Sequence, residues 1–309
     1  MEKVRTILGD IDPSLMGFTL PHEHLITRPI DAILKTADEI LMMDNVDAAV
    51  QILKDFKAAG GQTMGELTPK CHGRNVPGMV RAACEVGCHV IATTGYIAQK
   101  FGFPSKIDAM SANMVADEMI KDVTEGMDGT THKAGMIKAG TSYMRITSAE
   151  EKALRGGARA SIQTGVPLHT HTDQGTMGLE QIEIALEEGL DPTHMIIAHV
   201  DRNLDLWYHR QLLKHGVYVI YDGPGKVKYY PDSARIEVLC QLVADGFGKQ
   251  IMLSNDIGKR SYHAAYGGGP GHKWIIQKFL PRLLDEGFSQ EQIDDFMIHN
   301  PANAYTIKK

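Results

Sequence analysis

The chain has 309 residues, 43% of them hydrophobic, and a formal net charge of −6, the make-up of a soluble globular protein with room for a substantial core. Acidic and basic residues are interspersed, with no basic stripe or charged tail, which argues against nucleic acid as a partner. No run reaches the roughly 18 apolar residues of a membrane helix, and the first residues carry no apolar leader, so no membrane role is expected.

In chain order, segments of strand character fall at residues 17–24, 61–68, 89–96, 133–142, 166–172, 194–200, 217–223 and 250–256. Helical patterns lie between them, at 47–60, 79–87, 150–165, 178–189, 206–216 and 233–246, several ending in a glycine suited to a left-handed C-cap. Eight strand–helix alternations imply parallel strands, which close into an α/β fold of the (β/α)8 barrel type spanning residues 1–309 as one domain. The alternative is a doubly wound open sheet. It would place a glycine-rich phosphate loop after the first strand, where this sequence has His-Glu-His. The stretch AYGGGPGHKW after the eighth strand reads as a loop over the barrel mouth. Residues 288–309 read as one or two short helices packed outside, the last starting at Asn300-Pro301. Four cysteines, Cys71, Cys84, Cys88 and Cys240, form no CxxC pair, which fits a reducing, cytoplasmic setting. Cys84 and Cys88 are four apart and are expected to share a buried helix face.

In a parallel barrel the C-terminal strand ends open onto one face. The first strand brings His22 and His24 there, and the fourth brings Lys138. The fifth brings His169 and His171, the sixth His199 and Asp201, and the eighth Asp256; Tyr96 and Asp222 end the third and seventh. Residues two apart on a strand share a side, so His22 and His24 can grip one cation. A lysine inside the apolar GMIKAG needs a partner or a modification. Imidazoles and a carboxylate suit zinc, with cobalt, nickel, manganese and iron as alternatives. A lysine joins such a set only as an anion, for instance as a carbamate, whose two oxygens could bridge two ions.

This ordered constellation resembles the amidohydrolase superfamily, and more closely its phosphotriesterase-like branch of lactonases and related hydrolases. The likeness runs from RTILGDIDPSLMGFTLPHEHL through TTGY, GMIKAGTS, GVPLHTHT, MIIAHVDRNLD and IMLSND to the closing NPA. The resemblance implies two divalent metal ions: His22, His24 and Asp256 on the more buried one, His171 and His199 on the other, and Lys138, N6-carboxylated, bridging them. It implies a metal-bridging hydroxide as nucleophile, Asp256 as ligand and proton shuttle, and Tyr96 near the second ion, where it orients the substrate or merely lines the site. His169 lies outside the family's ligand pattern and is expected to be a packed or hydrogen-bonded histidine; since it shares the face of His171, support of the ligands from behind is the alternative.

The loops after the seventh and eighth strands set the substrate. They carry Lys226, Lys228, Tyr229 and Tyr230, then Lys259, Arg260, Tyr262, His263, Tyr266 and His272. Basic, tyrosine-rich loops beside glycines suit a phosphate better than a long acyl chain. YGGGPG resembles the branch that opens phosphorylated furanose lactones. The expectation is therefore a small polar lactone, phosphorylated, with Arg260, Lys226 and Tyr266 on the phosphate and Lys228 in reserve. An N-acyl-homoserine lactonase, an organophosphate esterase and, more distantly, a non-catalytic binding module are the alternatives. Relatives of this branch are often dimers, which leaves room for a homodimer.

Overall fold

The computed structural model of the chain describes residues 2–29 and 39–308. Eight strands form one sheet: β3 (Thr19–Glu23), β4 (Thr63–Glu66), β5 (His89–Gly95), β6 (Met136–Thr141), β7 (Leu168–Thr172), β8 (Met195–Ala198), β9 (Tyr218–Tyr221) and β10 (Ile251–Leu253). They are ordered as in the chain, and every adjacent pair is parallel. The helices between them are α1 (Val46–Ala58), α2 (Val76–Val86), α3 (Ala112–Thr124), α4 (Ser148–Thr164), α5 (Gly178–Glu187), α6 (Leu206–Lys214) and α7 (Asp232–Ala244). The barrel is nearly closed, and the open sheet is excluded. Between β3 and β10 the backbone ladder gives way to other bonds. His22 N donates to Ser254 Oγ (3.1 Å), Ser254 Oγ lies 2.9 Å from His22 O, and Asp256 N donates to His22 O (3.1 Å).

Period-2 alternation builds two cores. Ile91, Met136, Ile196, Ile220 and Met252 fill the barrel interior, while neighbours such as Val90, Ile137, Ile197, Val219 and Leu253 face the helices. One strand breaks the alternation where function needs it. β3 holds one more residue than β4 between the Leu20–Met64 and Glu23–Glu66 pairs. This bulge falls at Pro21, a residue with no ladder donor to lose. It lets Leu20 pack outward with α1 while His22 and His24 turn into the barrel mouth.

Two expectations from sequence need correction, and one element had no counterpart in it. A hairpin of β1 (Val4–Thr6) and β2 (Gly9–Ile11) precedes the barrel; three-residue strands are too short to show a period. Cys84 is exposed and Cys88 buried, because α2 stops at Val86 and Gly87 turns left-handed at φ 69°, so the two never share a helix face. The C-terminal segment is not wholly outside. After α8 (Leu280–Asp285) and α9 (Gln290–Asp294), α10 (Asn300–Tyr305) delivers Tyr305 into the interior cluster with Val4 and Met16. Among the described residues no helix is long and apolar enough to cross a membrane.

Candidate metal centre

His22, His24, Lys138, His171, His199 and Asp256 all line one cavity of about 170 Å³ at the C-terminal strand ends. Ligand atoms of His22, His199 and Asp256 lie within 4.8 Å of one another. Asp256 is central: its Oδ1 is 3.5 Å from His24 Nε2 and 3.8 Å from His22 Nε2, and its Oδ2 is 4.0 Å from His199 Nδ1. The His171 and His199 rings are 4.4 Å apart at their centroids. Two of these residues sit in left-handed backbone, His199 at φ 66° and Asp256 at φ 47°. Such conformations cost about 1–3 kcal/mol in a non-glycine residue and persist only where surrounding structure holds them. At His199 the left turn follows Ala198, which already faces inward, so two consecutive side chains serve the interior.

The residues fit a cation. His22 Nε2 and His171 Nε2 are buried with no hydrogen-bond partner, a costly arrangement for nitrogens that have nothing to bind. Burial, with nearby cationic groups, holds His22, His171 and His199 well below the usual imidazole pKa, so the rings are neutral, as ligation requires. His24 Nδ1 lies 2.8 Å from Thr68 Oγ1, whose hydroxyl donates to Glu66 Oε1 at 2.6 Å. That chain puts the hydrogen of His24 on Nδ1 and leaves Nε2 to face Asp256. Lys138 is wholly buried and donates to Leu67 O at 2.7 Å. Desolvation lowers its ammonium to about 8, although Asp256 and Glu66 oppose the shift.

Asp256 is held from two directions. Arg202, on the turn after β8, hydrogen-bonds to its Oδ2, and Lys226 Nζ donates to its backbone O at 2.6 Å. Burial pushes the Asp256 carboxyl up, but the positive charges of Lys226 and Arg202 outweigh it and hold the group well below its ordinary value. On the other side of the strand end, Glu23 is fully buried. It accepts from Ser254 Oγ and Asn255 N at 2.7 Å each and from Ile257 N at 2.9 Å, and His272 Nδ1 lies 3.2 Å away. The middle residue of His-Glu-His thus clamps the backbone on both sides of Asp256. Asp222 Oδ2 accepts from His199 N at 3.0 Å and lies 2.7 Å from His199 Nδ1.

The other residues singled out from sequence are placed as follows. Lys226 and Lys228 line the cavity with Arg202, Tyr229, Lys259 and Tyr262. The Tyr229 ring has Arg202 on it at 5.0 Å and Lys228 at 4.6 Å. Arg260 and Tyr266 are not on that lining: Arg260 Nε donates to Met42 O and its Nη2 is 3.8 Å from Asp44, while Tyr266 Oη accepts from Asn45 N. Tyr96 turns away to donate to Glu118 at 2.7 Å. Asp201 accepts from Arg235 at 2.7 Å and from Gly223 N at 2.9 Å, bracing the end of β9. Glu23, Arg202 and the Thr68–Glu66 pair were not singled out from sequence. The Val-Asp-Arg that follows the sixth-strand histidine was the available signal for Arg202, while Glu23 offered none beyond its place between two histidines.

The sequence profile of the Phosphotriesterase family matches residues 2–305. A Mycoplasmopsis synoviae protein named phospho-furanose lactonase is 36% identical over 320 residues, covering 96% of this chain and 90% of that protein. Among solved structures, the lactonase Lmo2620 of Listeria monocytogenes is similar with a TM-score of 0.95 at 35% identity, covering 99% of this chain and 100% of that one. The Escherichia coli phosphotriesterase homology protein, solved with phosphate in its active site, gives a TM-score of 0.90 at 35% identity, covering 96% of this chain and 100% of that one.

Proposed function

Since the chain belongs to the phosphotriesterase family, we propose that it is a metal-dependent hydrolase that opens a phosphorylated sugar lactone. The observation that carries the substrate is the cationic wall of the cavity. Arg202, Lys226, Lys228 and Lys259 stand there with the phenols of Tyr229 and Tyr262. Such a wall attracts an anion through charge-assisted hydrogen bonds and makes a poor seat for a long apolar chain. The phosphate in the Escherichia coli relative and the name of the Mycoplasmopsis synoviae relative support the same reading.

His22, His24 and Asp256 would hold one divalent ion and His171 and His199 a second, zinc being the first candidate, with cobalt, manganese, nickel and iron able to use the same donors. Bound there, the ions supply Lewis acidity toward the lactone carbonyl and lower the pKa of water. Lys138 would join the donor set as a carbamate, formed when its uncharged amine adds CO2 and gives up a proton to solvent, and burial that lowers its ammonium to about 8 favours the uncharged amine. Asp256 accepts the proton of the attacking water at a carboxylate oxygen and hands it to the departing ring oxygen. Arg202 and Lys226 keep that carboxylate ionised and aimed. Lys228 and Lys259 bind the phosphate, and Tyr229, fixed between two cations, shapes its seat.

The test compares a phosphorylated γ-lactone, its dephosphorylated form and a long-chain N-acyl-homoserine lactone on the metal-loaded enzyme. The expected result is a kcat/KM highest for the phosphorylated ring. Equal values with and without phosphate remove the phosphate seat from the proposal, and preference for the acyl chain replaces the substrate class.

A further inference from the structure

We propose that His169 is a positioning residue for His22, and that Tyr305, entering the barrel from the last helix, sets the proton order that leaves His22 Nε2 free to bind a cation. The inference rests on the reading of His22 as a metal ligand. His169 is fully buried, and each of its ring nitrogens has one hydrogen-bonding neighbour. Nε2 is 2.9 Å from His22 Nδ1, and Nδ1 is 3.2 Å from Tyr305 Oη.

The order of protons follows from the end of the chain. Pro21 O, a carbonyl that can only accept, takes the single phenol proton of Tyr305 at 2.6 Å. The phenol oxygen must then accept from His169, whose Nδ1 therefore carries hydrogen. A neutral imidazole has one N–H, so His169 Nε2 holds a lone pair and accepts from His22 Nδ1. His22 is left with its lone pair on Nε2. That atom is buried, has no hydrogen-bond partner, and lies 3.8 Å from Asp256 Oδ1. The reverse order would leave Pro21 O without its donor and place a hydrogen on His22 Nε2, where a cation could not bind.

The fold reserves space for this chain of bonds. Gly65 on β4 is the place where a Cβ would stand 2.4 Å from Pro21 O and 3.0 Å from Tyr305 Oη. His24 is oriented independently, by Thr68 and Glu66. The two histidines of one strand thus have separate anchors, and only that of His22 comes from the C-terminal helix.

The experiment measures zinc affinity of the full chain by competition with a chromophoric chelator, with thermal unfolding of each variant in parallel. His169→Leu removes the acceptor and should weaken the tighter zinc by about 10–100-fold, the cost of losing such an orienting partner. His169→Gln, whose carbonyl oxygen can accept from His22, should recover most of that loss. Tyr305→Phe keeps the ring and removes the proton order, and should weaken zinc by less than His169→Leu does. If His169→Leu fails to fold, the other two variants decide. Unchanged zinc affinity in a folded His169→Leu or in Tyr305→Phe overturns the proposal, as does a Gln variant as weak as Leu. A wild-type chain that binds no zinc, cobalt or manganese overturns the metal centre itself; a zinc-binding wild type whose variants are indifferent overturns only the role of His169.

Discussion

Glu23→Gln separates the clamp beneath Asp256 from the ligands above it. The carboxylate has no solvent exposure and takes three hydrogen bonds of 2.7, 2.7 and 2.9 Å. Burial raises its pKa, but His272 and the bonds from Ile257 N and Ser254 outweigh that effect and keep it ionised. A glutamine retains one oxygen for Ser254 and Asn255 and turns an NH2 toward Ile257 N–H, so one charge-assisted bond becomes a donor facing a donor. That bond is worth about 1.5–3 kcal/mol, and the two survivors drop to neutral strength, for a gross loss of about 3–6 kcal/mol. The amide is cheaper to bury than the carboxylate, which brings the net loss to about 3 kcal/mol. At about 2 °C per kcal/mol for a chain of this size, calorimetry should find Tm lower by about 6 °C. Metal content and turnover should fall with it, because the left-handed backbone at Asp256 loses the Ile257 bond on one side and keeps only a weaker Asn255 bond on the other. A Tm within about 2 °C of wild type, with full metal content, would refute the clamp.

Three more tests address single groups. Asp256→Asn should cost several orders of magnitude in kcat, since ligand charge and proton acceptor go together; a near-normal rate argues against that double role. Lys138→Ala should lower metal content as read by elemental analysis, with partial rescue by small carboxylic acids, and no rescue together with full metal would exclude a bridging carbamate. Asp128 pairs with the buried Arg74 at 2.9 Å. Burial raises its carboxyl, but the Arg74 hydrogen bond and charge outweigh this and hold it below its ordinary 3.8. A carboxyl held low in the fold contributes stability that is present above its ordinary value and is lost as pH falls through its folded value. Tm of the wild type should therefore fall more steeply below pH about 4 than that of Asp128→Asn, in which asparagine suits the φ of 51°; parallel curves would dismiss the pair as a stabilising contact.

The barrel was legible because it depends on short-range periodicity, which also put polar residues at the strand ends; which six of them make the ligand set was implied by the family resemblance. Strand alternation puts His22 with His24 and aims Lys138. Long-range partners were not legible. Glu23 meets groups more than 230 positions away, and Tyr305 reaches Pro21 across 284; no local pattern encodes either. The basic loops announced a cationic wall, yet which bases face inward depends on neighbours: Lys259 turns to the cavity while Arg260, next to it, turns to Met42 and Asp44. Tyr96 was expected at the centre from its strand-end position, but Glu118 on α3, a helix absent from the predicted set, supplies the acceptor that draws it away.

The seam between the first and last barrel strands is stitched by bonds whose partners are 232 residues apart, contacts that form late because loop closure over such a span must be met first. The proposed ligands His22, His24 and Asp256 stand on the two lips of that seam. An ion gripping both lips binds only the shut cylinder and so raises its stability by mass action. Starved of cation, the protein would open there first and bare two strand edges to proteases and to other chains. Cation supply would then govern how much enzyme survives in the cell as well as how fast each copy turns over.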